Sequence, residues 1–291
     1  MTAASNDKLI VTFMDVGWGD SILLESRPAT GPSHFALIDS NDTLHERSSY
    51  LYLKRFFERR GITTSWGHTF EFVLLTHGHS DHASGLPRIL SKFGATRFLY
   101  PSTHAPPTAH PILAQVLRYQ GRVNSRLAHC QDIDQSTSLS GISFGAVQLD
   151  VLWPPRNHSD NDENNHSIVL SLTLGNVAFV LTGDATASMW PKIVSRLPAN
   201  TRLLQAPHHG ARNGTFNGPR STPWLTHIAN KMSGVLVALS SHTRPHNHPH
   251  GDVITALDNT TPPTEHFRTD RHLHLMFETD GSSVTTHYFH P

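Results

Sequence analysis

Thr76-His77-Gly78-His79-Ser80-Asp81-His82 follows directly on the apolar run Phe72-Val73-Leu74-Leu75. Three histidines and one aspartate fall within seven positions. Imidazole and carboxylate are the donors that a borderline divalent ion such as zinc accepts. The spacing carries geometry. His77 and His79 are two residues apart, so an extended backbone sends both side chains the same way. Asp81 and His82 stand where Ala83 to Leu90 reads as a helix, and a chain turning into a helix can aim this second pair at a second ion. The chain is rich in histidine (23 of 291), but four ligand-type residues at this spacing behind an apolar strand are more than composition alone supplies.

The run resembles the signature of the metallo-β-lactamase superfamily, His-x-His-x-Asp-His at the end of a strand. The resemblance implies that His77 and His79 serve one metal and that Asp81 and His82 serve the other. It also implies an α/β fold of αββα sandwich type, with the metals at one edge of the paired sheets.

Composition bounds the rest. A chain of 291 residues buries a sizeable core, and residues 1–291 are expected to form a single hydrolase-like domain. Formal net charge is zero and the sequence pI is about 7.4, so no global positive field holds nucleic acid non-specifically. The single cysteine, Cys130, has no internal disulfide partner, which favours the cytoplasm. It reads as a spectator thiol. No apolar run approaches the roughly 20 residues of a membrane span, so no membrane partner or channel activity is expected of this chain. Met1 to Lys8 is polar and lacks the apolar segment of a signal peptide.

Short β-rich runs alternate with helical ones, a pattern that suits layered α/β architecture. Strands are expected at 9–14, 21–25, 34–38, 72–75 and 96–100, with one or two over 141–153. The runs 168–174 and 177–182 should form a hairpin about Gly175-Asn176. Later strands are expected at 203–204 and 235–239, and a closing hairpin turns at Asp280-Gly281. Helices are expected over 46–60, 111–121, 185–197 and 252–257. Gly61 is the expected stop of the first.

A two-metal site needs further ligands. Asp184 closes Phe179-Val180-Leu181-Thr182-Gly183-Asp184. Alone it reads better as a helix N-cap; in a Thr-Gly-Asp after a strand, the superfamily resemblance makes it the bridging ligand. His166, in Asn165-His166-Ser167, falls where the resemblance puts a third ligand for the first metal, with His158 as its rival. Pro207-His208-His209-Gly210 ends a strand with paired histidines. His242, His246, His248 and His250 crowd ten residues, and the residues alone leave open which of them binds.

The order of pieces resembles a subgroup of the superfamily, the metallo-hydrolase domain of ComEC-type competence proteins and the phosphorylcholine esterases. That subgroup opens with Asp-Val-Gly-x-Gly-Asp-Ser, here Asp15 to Ser21. It continues with a strand ending in aspartate (Asp39), the histidine loop, Asn165-x-Ser167, Thr182-Gly183-Asp184, Pro207 to Gly210, His248-Pro249 and Arg268-Thr269-Asp270. The departures are Trp18, where glutamine is usual, and Arg244, where asparagine is usual. The resemblance implies that His248 joins Asp81 and His82 on the second metal. It leaves His208 and His209 beside the metals, either supporting the ligands from behind or facing substrate. Asp39 is a candidate to orient a ligand histidine, and the Asp15–Asp20 loop reads as a glycine-rich turn in which Asp20 binds backbone amides.

The expected cofactors are two divalent ions, zinc first and manganese second. Asp81 and Asp184 return two of their four charges, and the surplus favours an anionic substrate. The expected function is hydrolysis of a phosphodiester, by a metal-bridged hydroxide, in a small diester or single-stranded nucleic acid. Asp81, His208 and His209 are the catalytic candidates. A lactone, thioester or amide hydrolase of the same superfamily is the second reading, and a non-catalytic metal-containing binding module the third.

Overall fold

The apolar runs become strands of two sheets in the computed structural model, which describes residues 6–42, 48–64, 67–104, 111–118 and 126–288. The first six strands are β1 (Lys8–Phe13), β2 (Ile22–Arg27), β3 (His34–Ile38), β4 (Phe70–Leu74), β5 (Ala95–Pro101) and β6 (Leu127–Ile133). The next six are β7 (Gln148–Trp153), β8 (Val169–Leu174), β9 (Val177–Leu181), β10 (Thr201–Gln205), β11 (Leu236–Leu239) and β12 (His266–Arg268), and they build the second sheet in the order β12-β11-β10-β9-β8-β7. The chain then returns to the first sheet with β13 (Leu275–Thr279) and β14 (Val284–Tyr288), giving the order β14-β13-β1-β2-β3-β4-β5-β6.

Alternation along each strand buries both faces of both sheets. Val11, Phe13, Phe72 and Leu99 of the first sheet meet Leu149, Leu170, Phe179 and Leu203 of the second. On the outer face of the first sheet, Leu37, Val73 and Phe98 pack against Leu53 and Phe57 of the helix Ser49–Arg59 and Ile89 and Phe93 of the helix Leu86–Phe93. On the outer face of the second, Val180, Leu204 and Val237 pack against Trp190, Trp224 and Leu257. Two sheets face to face with helices outside make an αββα sandwich. The turn of the β8–β9 hairpin docks on the turn of the β13–β14 hairpin: Asn176 N donates to the Gly281 carbonyl at 2.7 Å.

Strand direction decides where chemistry can gather. β3, β4, β5 and β6 run parallel, β1 matches them because both it and β3 are antiparallel to β2, and β9 to β12 run parallel in the other sheet. The histidine loop follows β4, Asp184 follows β9, the His208-His209 pair follows β10, and His248 lies in the segment after β11. Loops outside the carboxyl ends of parallel strands are the usual place for a ligand site in open α/β sheets.

Local expectations differ from the structure at several elements: the helix Pro223–Lys231 and β12 carry no expectation from the sequence, and the helix read over 83–90 divides into Ser80–Ala83 and Leu86–Phe93. The first helix spans Ser49–Arg59, capped by Ser48, whose hydroxyl accepts from Leu51 N; residues 46 and 47 lie outside the described residues. The helix expected over 111–121 is described as Pro111–Leu117, and residues 119–121 also lie outside the described residues. Helix over 185–197 shrinks to Trp190–Ile193 and one tighter turn. Its first residues are held otherwise, because Thr186 Oγ1 donates to Asn165 Oδ1 at 2.6 Å. β6 was not expected from the sequence. It is a sheet edge with only Leu127 and Ile133 buried, so no apolar run announces it. Cys130 lies on that edge, its thiol pushed up to about 11 by burial, which disfavours the thiolate at neutral pH.

Among the described residues no helix is long and apolar enough to cross a membrane. Phe179 is fully buried between the sheets. Its replacement by alanine is expected to cost about 3–5 kcal/mol, measured as a shift in denaturant midpoint with unchanged slope.

Candidate metal centre

Four donor atoms converge at the carboxyl ends of the strands. His82 Nε2 lies 3.3 Å from His209 Nε2, 3.3 Å from Asp184 Oδ1 and 3.7 Å from Asp81 Oδ2. His209 Nε2 lies 3.4 Å from Asp81 Oδ2 and 3.5 Å from Asp184 Oδ1. All four residues are buried. Donors about 2.0–2.1 Å from a tetrahedral ion stand about 3.3–3.4 Å from one another, which matches these separations.

The tautomers make the case stronger. His82 Nδ1 donates to Asp39 Oδ2 at 2.7 Å, and His209 Nδ1 donates to the Ser240 carbonyl at 3.0 Å. In each neutral ring the proton is therefore on Nδ1, and both Nε2 lone pairs face the same point together with two carboxylates. Asp184 Oδ1 is buried with no hydrogen-bond partner. Donors arranged in this way call for positive charge between them, and two imidazole nitrogens with two carboxylate oxygens fit a divalent ion.

A second group sits beside the first. His77 Nε2 lies 3.0 Å from His79 Nδ1 and 3.8 Å from Asp184 Oδ2. Asp184 thus turns one oxygen to each group, as a bridging ligand must. His77 donates from Nδ1 to Thr76 Oγ1 at 3.1 Å, and that hydroxyl donates onward to Asp39 Oδ2 at 2.7 Å. One buried carboxylate, Asp39, therefore sets the ring orientation of both His82 and His77. Burial raises the Asp39 carboxyl, while His82 and Thr76 donate to it and favour its ionised form.

Without a metal, protons carry the positive charge. Burial opposes charge on His82 and His209, but Asp184 and the neighbouring carboxylates win: His82 is held well above the usual imidazole value and His209 is pushed up to about 9. Burial would raise the carboxyls of Asp81 and Asp184; the same two imidazoles hold both below the usual carboxylate range.

The backbone is built around these atoms. Gly19, at φ +93°, passes so close to Asp81 that a Cβ there would stand 2.2 Å from the Asp81 carbonyl oxygen. Its loop carries Asp20, which accepts from Gln205 Nε2 at 2.6 Å through Oδ2, a side-chain amide rather than the backbone amides expected from the sequence. Asp20 Oδ1 stands 3.6 Å from His209 Nδ1. His208 and His209 both adopt left-handed backbone angles, φ 51° and 56°. Two such non-glycine residues in succession cost of order 1–3 kcal/mol each, and the strain is confined to the turn that presents the two rings. Asn165 and Ser167 clamp the Asp184 turn: Ser167 Oγ accepts from Asp184 N at 3.0 Å, and Asn165 Oδ1 accepts from Thr186. Glu163 accepts from Gly78 N at 2.7 Å and pairs with His104 at 2.8 Å, gripping the His77–His79 turn from outside.

The remaining sequence candidates take separate places. His166 lies outside both donor groups. Its Nε2 meets the Asp160 carbonyl at 3.1 Å, and its ring stands among His104 and His158 at 5.7 and 5.4 Å. The Asn-x-Ser segment thus reaches the centre through Asn165 and Ser167. His248 is buried and stacks on His209 with ring centres 6.1 Å apart, one layer outside the four-atom group. Burial, then the neighbouring histidines, push it down to about 3, so it is a neutral imidazole. His208 approaches Asp184 Oδ2 at 3.5 Å; burial lowers its pKa too. His246 is exposed and His250 half-buried. These rings, with Trp18, His79, Asp81, Asp184 and Arg212, line a cavity of about 640 Å³ above the donors. Arg212 is tied to Asp252 at 2.5 Å. The paired histidines at the end of β10 gave a visible signal for His209, but nothing in the sequence distinguished a ring facing the ions from one facing substrate.

His209→Ala is expected to remove one metal equivalent per chain after dialysis, whereas His248→Ala should retain both. Metal analysis of the two variants checks this, and the reverse pattern would show that His248 is the ligand. The proton–metal competition has a sign. His209 is raised in the folded metal-free protein, so its contribution to stability is complete below about pH 6.5 and is lost as pH rises through about 9. Chelator-stripped protein should therefore melt at lower temperature across that window, while zinc affinity, measured by chelator competition, rises.

Comparisons with known proteins agree with this geometry. Residues 57–212, more than half of the chain, match the family model described as a beta-lactamase superfamily domain. The uncharacterized protein YcaI of Escherichia coli K12 is 28% identical over 178 residues, 60% of this chain and 18% of that protein. ComE operon protein 3 of Bacillus subtilis 168 is 22% identical over 260 residues, 85% of this chain and 30% of that protein. The chain therefore spans less than a third of the length of either curated relative. Among solved structures, Igni18, a metallo hydrolase of the archaeon Ignicoccus hospitalis KIN4/I, aligns over 97% of this chain and 99% of its own, with 13% identity and a TM-score of 0.51. By sequence match, fold and the clustered histidine and aspartate donors, the chain belongs to the metallo-β-lactamase superfamily of metallo-hydrolases.

Proposed function

We propose that this chain is a dinuclear metal-dependent phosphodiesterase acting on small diesters or single-stranded nucleic acid. The observation that carries the reading is the pair of donor groups sharing Asp184 on the cavity floor, and the charge this floor would bear with two ions bound. His77, His79 and Asp184 would hold one ion, and Asp81, His82, His209 and Asp184 the other. Four positive charges would then meet two carboxylates, Asp81 and Asp184, the acidic residues among those lining the cavity. The surplus of about two charges favours a reaction in which negative charge grows on phosphoryl oxygens. When bound, the ions would polarise those oxygens and lower the pKa of a water to near neutrality.

The chain's own residues shape what enters. His208 and His248 are neutral imidazoles in the cavity wall and can hydrogen-bond a phosphoryl oxygen or a leaving group without adding charge. Arg212 spends its charge on Asp252, so attraction of the substrate falls mainly to the metal centre. The motif order shared with ComEC-type hydrolase domains supports a nuclease-like substrate, and zero net charge supports a shallow salt dependence for long strands.

The test is cleavage of bis(p-nitrophenyl) phosphate, a lactone and single-stranded DNA by protein loaded with zinc, manganese or cobalt. Diester cleavage is expected, lost on chelation and lowered at least about a hundred-fold by Asp184→Asn. Robust lactone hydrolysis with no diester cleavage under any of the three metals would overturn the reading.

A further inference from the structure

Trp18 stands in the cavity wall, and the metal chemistry does not use it. It is half-buried and belongs to none of the three apolar clusters. Its indole meets the His246 ring with centres 5.3 Å apart at 58°. The backbone beneath is fixed on both sides. Gly17 and Gly19 take φ of +78° and +93°, Asp15 Oδ1 accepts from Gly17 N at 3.1 Å, and Asp20 N donates to the Asp81 carbonyl at 3.2 Å. The Asn41 side-chain amide donates to the Trp18 carbonyl. The loop that buttresses Asp81 therefore also holds a large aromatic face over the cavity that opens on Asp81 and Asp184.

We infer that the Trp18–His246 wall is a stacking subsite for a nucleobase, which makes base-bearing phosphodiesters the substrate class of this centre. The inference rests on the phosphodiesterase reading for its substrate, though not for its binding. Stacking on an aromatic face accepts any base, since every base offers a π-surface. The cavity, about 640 Å³, lies in the range that encloses a drug-sized ligand. Among the lining residues Trp18 is the sole indole, phenyl or phenol ring, the others being imidazoles; a quaternary ammonium group calls for a cage of several strongly π-rich faces, whereas one indole suffices to stack a flat base.

The experiment uses zinc-loaded protein and calorimetric binding of thymidine 5′-monophosphate, phosphocholine and inorganic phosphate, alongside turnover of thymidine 5′-(p-nitrophenyl phosphate) and methyl p-nitrophenyl phosphate. Trp18→Gln should weaken thymidine monophosphate about 5- to 150-fold and leave inorganic phosphate within two-fold. Trp18→Phe should restore most of the loss. In turnover, Trp18→Gln should raise KM for the thymidine ester and spare the methyl ester. Equal losses for nucleotide and phosphate, no loss for either, or a loss confined to phosphocholine would overturn the subsite. Cleavage of the methyl ester with no effect of Trp18 would sink the subsite and keep the phosphodiesterase reading. A Trp18-dependent nucleotide affinity with neither ester cleaved would do the reverse.

Discussion

Two imidazole nitrogens, each with its proton committed to the other side of the ring, face one another across 3.3 Å with two carboxylates beside them. That arrangement is repulsive unless positive charge sits between the donors. Much of the surrounding structure exists to enforce it. Asp39 holds His82 and, through Thr76, His77. Ser240 holds His209, Gln205 ties the second sheet to Asp20 of the first, and Ser167 holds the turn that bears Asp184. These contacts join loops from both sheets, so the centre also fastens the open edge of the sandwich.

The sandwich makes this affordable. Its donors come from the carboxyl ends of β4, β9 and β10, strands whose side chains are buried on both faces and which therefore do not shift. The strain at His208 and His209 is borne at one turn, and the close approach of Gly19 to Asp81 leaves no room for a side chain there. The same loop places Trp18 at the cavity wall, so positioning of the metal ligand and shaping of the substrate space share one piece of backbone.

The order of ligand-bearing motifs could be read from the chain because each is local. His77 to His82 lie within one turn after one strand, and Asp184 follows another strand through a Thr-Gly step. A layered α/β fold was legible for a similar reason, since buried strands of this kind are short apolar runs between helical ones; the αββα arrangement followed from the superfamily resemblance of the histidine loop. Elements without such a signature escaped: β6 is an edge strand with a half-exposed middle, and the segment at 185–189 is held by Asn165 rather than by helical hydrogen bonds.

The sequence by itself determined that metal donors gather in the His77–His82 run at the end of one strand, because residue type and spacing are enough to specify donors there; the later donors, Asp184 among them, followed from the order of motifs shared with the superfamily. It could not assign roles among donors far apart in the chain. His209 rather than His248 lies with Asp81, His82 and Asp184, and Asn165 and Ser167 rather than His166 reach the Asp184 turn. Those outcomes depend on a left-handed turn at residues 208–209 and on how closely the two sheets approach. Both are properties of packing, which brings residues 20, 82, 184, 209 and 240 to within a few ångströms of one another.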